Sequence, residues 1–423
     1  ADNSVSDERP GEYHFNTPQP IPAYLIAIAA GDLAVQEISE TVAVFAESYI
    51  LEAAAWEFAD TPAMITATEA MYGPYRWDRY DLLVLPPSFP CGGMENPRLS
   101  FITPTVVSGD RGLINLIAHE LAHSWSGNLV TNASWRDLWI NEGFTSYVEN
   151  RIMEALFGRD RAVMEQALGY QDLLDDMSRL PPPDTVLNIE LGRRHPDDVF
   201  SQVPYVKGQL FLMYLEDKFG RETFDGFLRQ YFADFAFQSI STEQFKQYLK
   251  RELLDKHPQT VSMEKVEEWI HQPGLPEDAP RPTSDAFVKV EQQMQRWLKG
   301  GQLATEAWTT HEWLHFINNL PLDISAQNMA RLDQEFQLTQ SQNNEIAHAW
   351  LKLAIIKNYE PARDRLHDYL IGIGRNKLVS PLYRELAKTP ANLKWAREVY
   401  EQAKKGYHPL TQTVAESLLY ANQ

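Results

Sequence analysis

The motif H-E-x-x-H spans residues 119–123 and places His119 and His123 four positions apart. In an α-helix these positions lie on the same face, so both imidazoles can bind one metal ion while Glu120 lies beside its open side. Glu142 follows later in the chain and completes a set of two histidines and one glutamate. Three protein ligands leave a fourth position for water, which is the arrangement of a catalytic zinc site. The pattern therefore predicts one zinc ion per chain.

The residues around the motif decide between a metal site and an ordinary helix that carries two histidines, since short motifs also occur by chance. Residues 113–118 are mostly apolar, and Leu121, Ala122 and Trp125 continue the apolar pattern around the helix. Such a helix is predicted to be buried, where histidine and glutamate side chains without partners would be costly. A bound metal ion removes that cost. The metal site is the favoured interpretation, with Glu120 as the base that takes a proton from the water.

The composition indicates a large folded protein and excludes two classes of partner. The chain has 423 residues, of which 44% are hydrophobic and 23% charged, enough for two or three domains. A formal net charge of -20 argues against a nucleic-acid partner, because phosphate binding requires basic patches. The apolar run 21–30 contains Pro22 and is too short for a membrane span, so none is expected.

The cysteine content bears on the compartment. The single cysteine, Cys91, excludes a framework of internal disulfides. This is compatible with the reducing cytoplasm, which we predict as the location, with the periplasm or secretion as alternatives. Residues 1–8 contain no initiator methionine, basic segment or apolar core of a targeting signal.

Local patterns predict strands that give way to helices, which is an α+β fold class. Strand patterns occupy residues 24–29, 42–45, 81–85 and 101–106. Residues 48–72 predict one helix, and a helix from about Ser134 carries Glu142. Residues 273–282 are too rich in proline for a helix and predict a linker. Beyond this linker, helical stretches alternate with short breaks and predict an all-α, solenoid-like domain.

Further motifs carry a resemblance to a known family. They are P-P-S-F-P at 86–90, G-G-M-E-N at 92–96, H-S-W-S-G-N-L-V-T-N at 123–132, V-P-Y with K-G at 203–208, and G-R-N-K at 374–377. With the zinc motif, the chain resembles the gluzincin aminopeptidase family, in particular its leukotriene A-4 hydrolase branch. The resemblance implies a thermolysin-like catalytic domain, an armadillo- or HEAT-like helical domain, and a preceding β-sheet domain that is absent from this chain. We therefore expect a sequence that begins inside a longer protein, or a natural short form.

The predicted domain boundaries follow from these patterns. Residues 1–32 would be the end of a preceding β domain or connecting strands. Residues 33–272 would form the zinc peptidase domain, 273–283 the proline-rich linker, and 284–423 the helical C-terminal domain.

The resemblance also implies a site for the substrate's N-terminus. In the family, the glutamate of G-x-M-E-N grips the free α-ammonium of the peptide. This implies that role for Glu95, and substrate binding for the whole motif, Gly92, Gly93, Met94, Glu95 and Asn96. A solvated surface glutamate is the alternative.

Four other positions match family residues. The resemblance implies that Tyr205 supplies an oxyanion contact, although a buried tyrosine with a satisfied hydroxyl is the default. Asp197 matches an aspartate at the polar end of the substrate cleft, or lies in a plain turn. Arg375 and Lys377 match basic residues that receive the substrate's C-terminal carboxylate. Their alternative is a favourable dipole interaction at a helix end.

Glu149 is two helical turns beyond Glu142, hence on the same face, and could orient a metal ligand or form a surface salt bridge.

The predicted function is that of a zinc aminopeptidase acting, as a monomer, on short peptides with a free N-terminus. Hydrolysis of a fatty-acid epoxide, as an additional or primary activity, is the alternative. Phe200 stands where the branch commonly has a second tyrosine, and this counts against the epoxide reaction. A third hypothesis is a non-catalytic peptide-binding scaffold, which the complete set of catalytic positions makes a poor description.

Overall fold

The computed structural model of the chain describes residues 2–5, 13–196 and 201–420. Its strands are β1 (Asp2–Val5), β2 (Tyr13–Asn16), β3 (Ala34–Ser39), β4 (Val42–Ala46), β5 (Asp81–Val84), β6 (Gly93–Met94), β7 (Leu99–Ile102), β8 (Val130–Asn132) and β9 (Gln238–Ile240). The largest sheet has five strands in the order β3-β4-β5-β7-β6. Because β6 is its last strand, one edge of β6 faces away from the sheet. That edge carries Gly93 and Met94, so the G-G-M-E-N segment can offer its backbone to an extended peptide.

The helices of the N-terminal region, residues 13–271, pack against this sheet and each other. They are α1 (Leu51–Glu57), α2 (Thr61–Tyr72), α3 (Asn115–Ala122), α4 (Leu138–Phe157), α5 (Arg159–Met177), α6 (Gly208–Phe219), α7 (Arg221–Asp234), α8 (Thr242–Leu249) and α9 (Met263–His271). Helix α4 is buried on all sides from Trp139 to Met153, and it packs against α3, α5 and α6. A helix buried all round is the centre of a large core. The two helices that carry the zinc motif and Glu142 are therefore held rigidly against each other.

Four local predictions for this region need correction. The run 24–29 is not a strand; it contains a 3-10 turn, Ala23–Leu25, and Ile26 and Ile28 are exposed rather than packed. The single helix 48–72 is two helices, because Pro62 in the first turn of α2 lacks the N–H needed to continue α1. The strand 101–106 ends at Ile102, where a turn begins at Pro104.

The fourth correction concerns the start of the helix that carries Glu142: Ser134 precedes a 3-10 turn, Trp135–Asp137, and the α-helix itself begins at Leu138. Ser134 donates its hydroxyl to Asp137 Oδ2 at 2.7 Å, and Asp137 Oδ1 accepts the backbone N–H of Thr242 at 2.9 Å. With both side chains engaged in these contacts, the capping box does not form.

The C-terminal helical region, residues 285–420, has no strand among the described residues. Its helices are α10 (Asp285–Leu298), α11 (Thr310–Asn318), α12 (Ala326–Phe336), α13 (Asn344–Lys357), α14 (Arg363–Gly372), α15 (Asn376–Leu386), α16 (Pro390–Ala403) and α17 (Pro409–Tyr420). Helices α11, α13, α15 and α17 stack one on the next, while α14 packs on α16. This neighbour-on-neighbour stacking is the solenoid arrangement, and the predicted α+β fold with a helical C-terminal region is confirmed.

The segment between the two regions, residues 273–284, contains no helix. Within the described part of the chain, no helix combines the length and the apolar character needed to cross a bilayer.

Backbone hydrogen bonds dock the helical region onto the loop that precedes β6. Gly374 N–H donates to Pro87 O at 2.8 Å, and Asn376 N–H donates to Pro90 O at 2.9 Å. The residue between them, Arg375, is thereby carried to the start of the G-G-M-E-N segment. This junction places a side chain of the helical region against Gly92.

Candidate active site

The three predicted metal ligands meet where α3 packs on α4. Glu142 Oε2 lies 3.3 Å from His119 Nε2 and 3.5 Å from His123 Nε2. One ligand atom from each of the three residues lies within 4.8 Å of the others. His119 and His123 are adjacent because they are one turn apart in the same helix, and α4 supplies Glu142 from the other side. The geometry brings the predicted set together.

These residues fit a zinc ion. Glu142 Oε2 is buried and has no hydrogen-bond donor in bonding geometry among the described residues, which would be costly for a carboxylate in a protein interior. The outer nitrogens of both histidines are occupied: His119 Nδ1 lies 2.9 Å from Glu149 Oε2, and His123 Nδ1 lies 3.1 Å from Ser126 O. Both Nε2 atoms are therefore left to face the carboxylate. Two imidazoles and one carboxylate are the ligands of a catalytic zinc site.

The contact of Glu149 with His119 distinguishes the two roles predicted for Glu149, orientation of a metal ligand and a surface salt bridge. Glu149 is buried rather than solvated, and Asn115 Nδ2 donates to its second oxygen at 3.0 Å. Such a carboxylate fixes the orientation of the imidazole and makes it a better ligand. This contact is the one that a ligand-orienting role requires, and the surface salt bridge is wrong because Glu149 is buried.

Glu120 lies between the metal ligands and the edge strand β6. A side chain at Gly93 would have its Cβ 2.1 Å from Glu120 Oε1, so this carboxylate occupies space that only glycine leaves open. Oε2 of Glu120 is buried and has no hydrogen-bond partner in the part of the chain that the structure describes. Burial raises the pKa of the Glu120 carboxyl well above its ordinary value, and the neighbouring Glu95 and Glu142 add to that effect. A carboxyl with a raised pKa is a stronger proton acceptor.

Glu95 is brought to the same place by the G-G-M-E-N segment. Carboxylate oxygens of Glu95 and Glu120 and a ring nitrogen of His123 lie within 4.8 Å of one another. Burial raises the pKa of Glu95. Two hydrogen bonds hold the backbone around it: Asn128 Nδ2 donates to Glu95 O at 2.8 Å, and Asn96 Nδ2 donates to Leu25 O at 2.9 Å. The solvated alternative for Glu95 is wrong, since only 7% of the residue is exposed.

Tyr205 lies beside His119. It is part of a π-helical turn, Val203–Lys207, that leads into α6, and its ring is roughly parallel to that of His119 with 6.1 Å between the centroids. Single π-helical turns are frequent at functional sites because they reorient a side chain within a helix. Burial, together with the charges of Glu142 and Glu95, raises the pKa of Tyr205 well above its ordinary value. The phenol therefore keeps its proton and can donate a hydrogen bond.

Arg375 reaches the site from the helical region and is almost fully buried. Its Nη1 donates to Thr105 Oγ1 and to Glu345 Oε1, both at 3.1 Å. A Cβ on Gly92 would lie 2.9 Å from Arg375 Nη2, and Nε is buried without a partner. One edge of the guanidinium is thus anchored, while the Nε–Nη2 edge has no protein acceptor in the described part of the chain.

Lys377 differs from Arg375 although the two are close in sequence. Its side chain is 54% exposed, and its Nζ lies 3.7 Å from Glu345 Oε2. Lys377 is therefore a more loosely held cation. The remaining predicted site residue, Asp197, lies outside the described residues, as does Phe200.

Two residues that contact the predicted site residues, Glu345 and Thr145, were not predicted from the sequence. Glu345 neutralises both cations from the start of α13, and no local pattern around it indicates that partnership. Thr145 contacts His123 from α4. Its position one turn after Glu142, on the face that carries a ligand, is a signal that could have found it.

Comparison with known proteins gives matches over nearly the whole chain. Residues 56–270 match the peptidase family M1 domain, and residues 308–419 match the leukotriene A4 hydrolase C-terminal domain. The chain is 38% identical over 432 residues to leucine aminopeptidase 2 of Yarrowia lipolytica, covering 95% of this chain and 65% of that protein. It is 35% identical over 434 residues to leukotriene A-4 hydrolase of Xenopus laevis, covering 98% of this chain and 70% of that protein.

A solved structure agrees with these matches. The structure of yeast LTA4 hydrolase in complex with bestatin superposes with a TM-score of 0.88 at 33% identity, covering 96% of this chain and 70% of the yeast chain. The present chain thus spans 65–70% of the length of these relatives.

Proposed function

The chain belongs to peptidase family M1, a family of zinc metallopeptidases, and we propose that it is an aminopeptidase that removes single residues from short peptides with free N-termini. The observation that carries the proposal is the buried carboxylate of Glu95 beside Glu120 and His123. A carboxylate at that distance from the metal ligands can pair with an α-ammonium only if the scissile bond is the first of the peptide. An endopeptidase cleaves internal bonds, so its substrate has no α-ammonium at that position for the carboxylate to bind.

The catalytic roles follow from the positions of the side chains. A zinc ion held by His119, His123 and Glu142 would supply the positive charge that activates a water molecule and polarises the substrate carbonyl. Glu120, whose buried Oε2 has no partner within residues 13–196 and 201–420, takes the proton of the attacking water and returns it to the nitrogen of the leaving amine. Tyr205 keeps its proton and donates a hydrogen bond to the carbonyl oxygen as negative charge develops there.

The edge strand β6 orients the substrate. A peptide laid beside Gly93 and Met94 would extend the five-stranded sheet, with its backbone paired to the strand. The same segment ends in Glu95, so strand pairing and capture of the ammonium act on one end of the peptide. The missing side chain at Gly93 leaves room for Glu120 below the bond to be cleaved.

Arg375 is proposed to bind the other end of the peptide. Its Nη1 is held by Thr105 and Glu345, and within the described residues Nε is buried without a partner, which leaves the Nε–Nη2 edge as a parallel pair of donors. That edge matches the two oxygens of a carboxylate, and charge-assisted bidentate pairs of this kind are strong. Lys377, exposed and shared with Glu345, supplies a second, weaker attraction for the same anion. The enzyme would thereby favour peptides short enough to reach both ends.

A panel of aminoacyl chromogenic amides, assayed with the zinc-loaded chain, tests the proposal. Free aminoacyl amides are expected to be cleaved, and their N-acetylated counterparts are not. Glu95→Gln, which keeps the shape and removes the charge, is expected to abolish that preference together with most of the kcat/KM. Cleavage of internal bonds in a blocked peptide would assign the chain to the endopeptidases instead.

Epoxide hydrolysis is a second candidate function, favoured by the 35% identity to leukotriene A-4 hydrolase of Xenopus laevis. Phe200 has no hydroxyl at the position where that branch commonly has tyrosine. We propose that peptidase activity is the primary one. Incubation of the chain with a fatty-acid epoxide and analysis of the diol products distinguishes the two reactions.

We also propose that the protein is located in the cytoplasm. A chain with one cysteine does not depend on an internal disulfide, which suits the reducing cytoplasm. Fractionation of the native cells, followed by detection of the protein in the cytoplasmic fraction, tests the location.

A further inference from the structure

We infer that Thr145 is a positioning residue for the zinc ligand His123, and that its hydroxyl group helps to set the affinity of the site for zinc. The inference concerns a contact behind the metal ligands, on the side of the imidazole that faces away from the substrate.

Three atoms form a closed triangle at this point. Thr145 Oγ1 lies 3.1 Å from His123 Nδ1 and 3.1 Å from Ser126 O. His123 Nδ1 lies 3.1 Å from the same carbonyl oxygen. Thr145 is completely buried, and His123 is nearly so, which leaves no access for water to these atoms.

The donor and acceptor roles of these three atoms decide which ring nitrogen of His123 carries the proton. A carbonyl oxygen has two lone pairs and only accepts, so both the Thr145 hydroxyl and the His123 Nδ1–H can donate to Ser126 O. The Thr145 oxygen keeps a lone pair that can also accept from Nδ1–H. Both neighbours of Nδ1 stabilise a proton on that nitrogen. The lone pair of His123 is therefore on Nε2, which is the atom that faces His119 and Glu142.

The two histidines are held by different kinds of partner. His119 Nδ1 faces the carboxylate of Glu149, whereas His123 Nδ1 faces the neutral oxygens of Ser126 and Thr145, and the neutral side chain of Asn141 also lies beside the His123 ring. The space around the metal ligands already contains the buried carboxylates of Glu95, Glu120 and Glu142. A further carboxylate behind His123 would add like charge to a low-dielectric site, so a neutral acceptor is the physically favourable choice.

Thr145 also connects the two elements that carry the ligands. It lies in α4 one turn after Glu142, and its hydroxyl contacts the loop that follows His123. From that loop, Ser126 Oγ donates to Ile140 O at 3.0 Å and to Asn141 O at 2.8 Å. Helix α4 is thus tied to the loop on both sides of Glu142. Loss of the Thr145 hydroxyl would loosen the spacing between the ligands and not only the ring of His123.

The test measures zinc affinity with the metal-depleted chain, by competition against a chelator of known affinity. Thr145→Val removes the hydroxyl and keeps the shape, and it is expected to weaken zinc binding by about 10-fold, the lower end of the range for partners of this kind, because Ser126 O remains. Thr145→Ser restores the hydroxyl and is expected to stay within about threefold of the wild type. Thr145→Ala is a second hydroxyl-free variant, and it is expected to weaken zinc binding at least as much as Thr145→Val does.

Ser146→Ala is the matched control, since Ser146 is the next residue of α4 and also carries a buried hydroxyl. It is expected to bind zinc as the wild type does. The thermal unfolding midpoint of each metal-free variant is measured alongside, because a purely structural hydroxyl would lower that midpoint without changing zinc affinity.

Wild-type zinc affinity in Thr145→Val and Thr145→Ala would overturn the inference. It would also fail if Thr145→Ser bound zinc as weakly as the hydroxyl-free variants. Because the readout is zinc binding rather than turnover, neither result depends on the proposed peptidase activity.

Discussion

Gly143 and Gly208 touch backbone to backbone, so closely that a Cβ added to Gly143 would lie 2.8 Å from the Gly208 Cα. Gly143 directly follows the proposed metal ligand Glu142, and Gly208 begins α6, directly after the turn that carries Tyr205. Because neither glycine has a side chain, helix α4, which carries Glu142, and the π-helical turn that carries Tyr205 can approach each other. The distance between the metal ligands and Tyr205 depends on this contact.

The variant Gly143→Ala tests that dependence. An added methyl group would meet backbone atoms, which cannot move aside as a flexible side chain can, so α4 and the Tyr205 turn must separate. A displacement of the order of 1 Å near reacting groups can lower the rate by about 10²-fold, and we expect kcat at saturating zinc to fall by roughly that factor. Gly226→Ala in α7 is the control, because no atom of the described residues lies within 4 Å of its added Cβ. Equal activity of the two variants would contradict the role of the contact.

Removal of the metal should abolish peptidase activity reversibly. The dialysed chain is expected to contain about one zinc ion, to lose its activity on treatment with a chelator, and to regain it when zinc is added back, as a single catalytic site requires. Glu142→Gln should lower zinc content because a neutral amide is a poorer ligand than a carboxylate. Elemental analysis of the chelated and reconstituted protein measures both. Full activity without metal would rule out the zinc mechanism.

Glu120→Gln separates the base from the metal site. The amide has nearly the same shape but cannot accept the proton of the attacking water, so zinc content should be unchanged while kcat falls by at least about 10²-fold. Tyr205→Phe, which removes only a hydroxyl, is expected to lower kcat by about 10²-fold, the cost of one donor to a developing oxyanion. Both are measured on one aminoacyl amide, with zinc analysis of each preparation. Wild-type kcat in either variant would remove the role assigned to that residue.

Arg375→Ala should affect peptides according to their C-terminus. The kcat/KM for a tripeptide acid is expected to fall sharply and that for the matching tripeptide amide to change little, because only the acid offers two charged oxygens to the guanidinium. Lys377→Ala is the comparison, and a smaller fall is expected because its side chain is 54% exposed. An equal fall on acid and amide would show that Arg375 acts only by joining the helical region to Thr105.

Gln337→Gly should stabilise the helical region without touching the site. Gln337 ends α12 in the left-handed conformation, with φ 53°, which costs about 1 kcal/mol or more for a residue with a Cβ. The free energy of unfolding should rise by about that amount in denaturant titrations, with kcat unchanged. Asn358→Gly, at the left-handed end of α13, should gain less, since asparagine tolerates this conformation. A gain at Asn358 as large as at Gln337 would contradict this account.

Features with a short-range cause were predictable from the sequence. The pairing of His119 with His123 depends only on the helical period, and the burial of their helix follows from its apolar neighbours. The helices of the C-terminal region were predictable for the same reason, because each has its own apolar period and end signals. Where a local signal failed, as in residues 24–29, the apolar run was present and Leu25 is buried, but residues 26–29 remain exposed.

Other features of the site depend on contacts between distant segments. Arg375 lies against Gly92 because the loop 374–376 docks on residues 87–90, and neither segment contains a local signal of that contact. The partnership of Glu345 with both cations, and the triangle of Thr145, His123 and Ser126, arise in the same way.

The sequence by itself thus determined which residues could bind zinc, because ligand spacing within one helix is set by the geometry of the backbone. Only the tertiary structure decided how these ligands are oriented and how far the Tyr205 turn lies from them. The physical reason is that hydrogen-bond direction and close packing, such as that of Gly143 on Gly208, exist only after separate elements have packed.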